Sequence, residues 1–175
     1  ALHLYVDERY ARGRPGTPPQ WGEARKDDIG TAITDGSRVW FTLARGRLDE
    51  VYYPAPDRAC VRALGFAIAG GGLYAEDEAA EHGFVRPVEA VPLVSIESRH
   101  PAYAMTKETI VDPRSDVVLQ RVRWRSAPGA LLYALLEPHL DNSGENTAVV
   151  VERFGHTVLA AERDGMALAL LCSAP

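Results

Sequence analysis

From Gly30 to Cys172 the chain is cut into strand-length runs by turn residues, and no apolar stripe persists at helical spacing. That rhythm constrains the fold more than any other feature. A helix needs about 10 to 12 residues with one apolar face. Asp116–Arg125 shows the competing period of two most plainly. Val118, Val122 and Trp124 point one way, and Leu119, Arg121, Arg123 and Arg125 the other. Such a strand has one face in a core and one in water. Gln120 falls on the core side and needs a hydrogen-bond partner there.

The same reading places strands at Arg38–Leu43 and Leu48–Tyr53, joined across Ala44–Arg47. It places others at Arg62–Ala69, Val91–Ser98, Ala102–Val111, Thr147–Phe154 and Thr157–Ala161. Asp164-Gly165 is a two-residue hairpin turn, because both positions accept positive φ. Leu131–Leu136, LLYALL, is apolar on both faces, which predicts a central strand covered on both sides. Only Ala75–His82, AEDEAAEH, is a candidate helix. It has no apolar stripe, and a solvated acidic loop is the equal alternative. The Pro- and Gly-rich segment 11–22 predicts an extended arm pinned by Trp21. About ten to eleven strands with short connections define an all-β, antiparallel sandwich or barrel.

Composition narrows the function. The chain has 175 residues, 46% hydrophobic and 25% charged, with net charge −5 and pI near 5.5. An acidic domain of this size argues against nucleic-acid binding. No apolar run reaches the length of a membrane-spanning helix. Charges at Asp7, Glu8 and Arg9 interrupt the opening residues, so no signal peptide is read and a cytoplasmic location is expected. Cys60 and Cys172 read as two buried free thiols, with a single disulfide as the alternative.

The chemistry-bearing residues do not assemble into a catalytic set. Glu76, Asp77, Glu78 and Glu81 read as solvated surface. Asp141–Asn146 has oxygen ligands but lacks the calcium-loop pattern, so a turn bonded to its own backbone is expected. His3, His82, His100, His139 and His156 show no metal-ligand spacing, and no metal or cofactor site is predicted. His139, after Pro138, is the most interesting of the five. Arg121, Arg123 and Arg125 are expected to pair with acidic neighbours across strands. Alternation puts Glu50 and Tyr52 on one face of their strand and Tyr53 on the other.

Several motifs together resemble one family. They begin with Pro15-Gly16, Pro18-Pro19, Trp21, Lys26-Asp27 and Gly30-Thr31-Ala32. They continue with Ser37–Leu43 (SRVWFTL), Gly46, Glu50–Pro54 (EVYYP), Asp57 and Leu64-Gly65. Further on come Lys107-Glu108, Asp112-Pro113-Arg114, Val118–Val122 (VLQRV), Pro138-His139-Leu140, Asn146-Thr147-Ala148 and Ala161–Gly165 (AERDG). The chain resembles the N-terminal β-sandwich domain of bacterial and archaeal glucoamylases and glucodextranases, glycoside hydrolase family 15. Ala63 departs from the Asp often found there.

The resemblance implies an antiparallel supersandwich similar to galactose mutarotase, here partial. Residues 1–14 would be an N-terminal extension and 15–175 the sandwich domain. In such enzymes the domain precedes an (α/α)6 barrel, an inverting exo-glucosidase of α-glucans whose acid and base sit about 6.5–9.5 Å apart across a water. No stretch here resembles the barrel motifs, so the resemblance assigns no catalytic residue. It makes Arg38, Trp40, Glu50, Tyr52 and Tyr53 candidate sugar-side or interdomain residues. The expected partners are the barrel of the same parent enzyme and α-glucan, with pairing of copies through an exposed strand edge. A stand-alone carbohydrate-binding module is the alternative.

Overall fold

The computed structural model describes residues 9–10, 21–22, 24–86 and 88–173, the first pair by backbone alone. Most of the proline-rich arm and the proposed extension lie outside the described residues. Among the described residues fourteen strands are present, all paired antiparallel. They are β1 (Arg9–Tyr10), β2 (Asp28–Thr31), β3 (Trp40–Ala44), β4 (Arg47–Tyr52), β5 (Ala59–Gly70), β6 (Leu73–Glu76) and β7 (Glu81–Val85), then β8 (Val94–His100), β9 (Tyr103–Val111), β10 (Val118–Ser126), β11 (Leu131–Pro138), β12 (Thr147–Arg153), β13 (His156–Arg163) and β14 (Met166–Leu171).

One six-stranded sheet runs β11-β5-β4-β3-β2, with β6 also paired to β5. Two four-stranded sheets run β10-β9-β8-β7 and β1-β12-β13-β14. The main core draws on all three: Phe41, Leu43, Leu48 and Val61 from the first, Val94, Ile96 and Val111 from the second, and Ala161 from the third. A second cluster around Ile68, Tyr103 and Met105 fills the space between β5 and β9. This is the expected antiparallel sandwich. The Asp164-Gly165 turn has the expected positive φ, 46° and 83°, and the Arg45-Gly46 turn also has positive φ, 50° and 74°.

Four expectations are corrected. Ala75–His82 is no helix, because the segment splits into the end of β6, a single 3₁₀ turn at Asp77–Ala79 and the start of β7. Its acidic run is not all solvated, since Asp77 is buried. Cys172 is exposed; both cysteines are free. Finally, among the described residues β11 is an edge strand, not a central one, and its outward positions are uncovered.

A line of irregular pairings crosses the six-stranded sheet. Register shifts fall between Thr42 and Leu43, between Val51 and Tyr52, and between Glu137 and Pro138. Leu48 and Val51 both face the core although three residues apart, which a regular strand with period two does not allow. The intervening Asp49 and Glu50 are therefore both turned away from the apolar core.

Candidate functional site

The outer face of the six-stranded sheet receives that bulge. Trp40 pairs with Tyr52, and Thr42 with Glu50, across β3 and β4. Phe41 and Leu43 take the core positions, so alternation leaves Trp40 and Thr42 on the outer side. Asp49 and Glu50 are nevertheless buried, since Gly22 lies against the Asp49 carboxylate and Lys26 against both acids. The Lys26 ammonium donates to Asp49 and lies 3.0 Å from Glu50. Arg47 approaches Asp49 at 3.5 Å and Glu78 at 2.8 Å. Tyr52 donates its hydroxyl to Glu50.

Gly22 is required by this close approach. A Cβ at that position would stand 2.5 Å from the Asp49 carboxylate. Trp21 sets its ring edge against His139, with centroids 5.0 Å apart. His139 is buried. Its Nε2 has no hydrogen-bond partner among the described residues. Burial, then the nearby Arg62 charge, hold this imidazole below its ordinary pKa. For Lys26, burial pulls downward, but the hydrogen bonds and charges of Asp49 and Glu50 outweigh it and leave the pKa raised. The Tyr52 phenol is pushed up by burial and by the Glu50 carboxylate it serves.

The five residues singled out from the sequence fall into two sets. Trp40, Glu50 and Tyr52 share the outer face, as alternation predicts for Glu50 and Tyr52. Arg38 and Tyr53 stand apart, as a tie to the turn before β10. The Arg38 backbone N–H donates to Asp116 at 2.7 Å and its guanidinium donates to the same carboxylate at 2.9 Å. The guanidinium also donates to the Tyr53 hydroxyl at 2.5 Å. Asp116 is held below its usual pKa, first by the Arg38 backbone N–H and then by the guanidinium. Lys26, Arg47, Asp49, Trp21 and His139 complete the outer face. Lys26 and Trp21 belong to the motifs quoted above, whereas Asp49 is brought in by a bulge that no local pattern announces.

Chemically, the outer face is an acidic pair neutralised by two cations and margined by indole and phenol rings. Asp49 and Glu50 converge on one ammonium instead of facing each other across a water. They do not have the disposition of an inverting acid–base pair. The loop after β11 is also structural. Asn142 accepts from the Ala59 N–H and donates to Asp57 O. Asn146 accepts from the Leu140 N–H and donates to Pro138 O. No group of three or more His, Cys, Asp or Glu that could hold a metal occurs among the described residues.

Fold and site together define an antiparallel β-sandwich domain with a charge-neutralised aromatic face. The chain belongs to the family described as glucodextranase, domain N, whose model matches residues 11–175. It is 31% identical over 166 residues to a glucoamylase of Clostridium sp. (strain G0005), covering 89% of this chain and 24% of that protein. It superposes on the crystal structure of a bacterial glucoamylase complexed with acarbose with TM-score 0.84 and 27% identity, covering 91% of this chain and 25% of that one. The chain thus spans about a quarter of the length of either relative.

Proposed function

We propose that this chain is the non-catalytic N-terminal domain of a glucoamylase-like enzyme of glycoside hydrolase family 15. The activity, removal of glucose from α-glucan ends with inversion, would belong to an (α/α)6 barrel in the same polypeptide. The observation that carries this reading is the family match over residues 11–175 in a chain that covers a quarter of two glucoamylases. The geometry of Asp49 and Glu50 is in keeping with it, because their charges are spent on Lys26 and Arg47. In this role the domain supports the barrel, Arg38 and Tyr53 hold its loops in register, and Trp40, Glu50 and Tyr52 lie on an interdomain or sugar-side surface.

Deleting residues 1–175 from the parent polypeptide tests the supporting role. The expected result is a shortened thermal half-life of glucose release from maltotetraose, with the first-formed anomer, followed by NMR, still inverted. An unchanged half-life contradicts the supporting role. A changed anomer contradicts the assignment of the chemistry to the barrel.

A further inference from the structure

The outer faces of two sheets differ in kind. On the β10-β9-β8-β7 sheet the outward positions include Arg121 and Arg123, both paired with Glu108, and the Arg99–Glu97 pair, which is the pattern of a face in water. On the six-stranded sheet β11 turns outward Leu131 (60% exposed), Tyr133 (48%) and Leu135 (43%), and β6 adds Tyr74 (67%). The register aligns them. Leu131 and Tyr74 flank Ala69, Tyr133 and Glu76 flank Ala67, and Leu135 lies beside Gly65.

Ala69, Ala67 and Gly65 are thus the floor of a trough about 10 Å wide, two strand spacings. Nothing lies within 4 Å of where a Gly65 Cβ would stand. At that end the trough opens into a slot lined by Arg47, Glu76, Glu78, Leu135 and Glu137. Arg47 and Arg62 answer Glu78 and Glu137. Glu76 has only the Tyr74 hydroxyl, at 2.7 Å, among the described residues. The trough is apolar on its β11 wall and its floor, with Glu76 on its β6 wall and further carboxylates at its deep end.

We propose that this trough is the surface on which the catalytic domain of the same polypeptide docks. The matching surface would be an apolar ridge carrying an arginine or lysine that enters the slot over Gly65. The proposal rests on the function proposed above and adds the face and the chemistry of the contact. Contiguous large apolar side chains exposed on a sheet face mark a protein contact, and the uncovered three quarters of the relatives' length supply a candidate. A second copy fits poorly. A two-fold contact sets the same patch against itself, which would oppose the carboxylates of one slot to those of the other. A glucan fits poorly along Leu131 and Leu135, which offer it no hydrogen bond.

The test is photocrosslinking in the full polypeptide, with p-benzoylphenylalanine in place of Tyr133 and, as control, in place of Arg123 on the solvated face. Crosslinks from position 133 into the catalytic domain of the same molecule, absent from position 123, are expected. Gly65→Leu, which fills the slot into open space, should abolish them. Crosslinks only between copies, crosslinks only into the remainder of the sandwich domain, no crosslinks at all, or crosslinks that survive Gly65→Leu unchanged would overturn the proposal. Glucose release is measured on the same samples. Intramolecular crosslinks without release would sink the proposed function alone, and release without such crosslinks would sink the docking alone.

Discussion

Two lysines, each bonded to a buried aspartate, show opposite electrostatics in one domain. Lys107 on β9 points between the sheets, its side chain 1% exposed, and donates to Asp77 and to Gly46 O. Lys26 lies on the outer face, 23% exposed, and serves Asp49 and Glu50. Burial holds Lys107 below its ordinary pKa in spite of Asp77, whereas Lys26 is raised. Between the sheets desolvation prevails over one carboxylate. On the outer face, with water at hand, two carboxylates prevail over desolvation.

The inner cluster extends beyond its ion pair. Ser98 donates to the same Asp77 oxygen at 3.0 Å. Its one proton is thereby spent, so His82 Nδ1, 3.1 Å away, is the donor to Ser98 Oγ. Burial and then the Lys107 charge hold the His82 pKa below its ordinary value. Gly46 packs on this ring. A Cβ there would come within 2.2 Å of it, at φ of 74°.

The largest expected effect comes from unpairing the sealed cluster. Lys107→Met leaves Asp77 buried without its cation and should cost about 3–5 kcal/mol in urea denaturation. Adding Asp77→Leu should recover much of that loss, because no buried charge then remains. Lys26→Met should cost less, about 1–2 kcal/mol, since Arg47 still pairs with Asp49 and the Tyr52 hydroxyl still serves Glu50. Equal losses for the two lysine changes would break the comparison.

Acid should act next. His82 and His139 are both held below the ordinary 6.5. The unfolded chain therefore takes up protons at pH 6.5 that the native state does not. Stability should be insensitive to these groups above pH 6.5 and fall as pH drops below it. A series of Tm measurements from pH 7.5 to 5.0 checks this, and His82→Gln should flatten part of the slope. The smallest effect belongs to the solvated face. Arg121→Ala should change stability by no more than about 0.5 kcal/mol.

The difference between these regions also explains what the sequence disclosed. β10 was legible because alternation records a one-sided environment directly, down to Gln120, whose Nε2 donates to Thr109 Oγ1 at 2.9 Å. Glu50 and Tyr52 were placed on one face by the same rule and are hydrogen-bonded there. Asp77 was illegible. In AEDEAAEH it looks like its neighbours, and only the approach of Lys107, thirty positions on, marks it as buried. LLYALL misled because an apolar run does not say whether its second face is covered within the domain, and here Leu131, Tyr133 and Leu135 are exposed. The convergence of Asp49 with Glu50 depends on a bulge that propensity does not encode.

The central proposal is that this domain belongs to a glucosidase without carrying its chemistry. The most direct measurement is glucose release by the 175-residue chain alone, incubated with maltose, maltotetraose and dextran. The account predicts no release above buffer. Sustained release by the purified chain, abolished by Glu50→Gln, would contradict it.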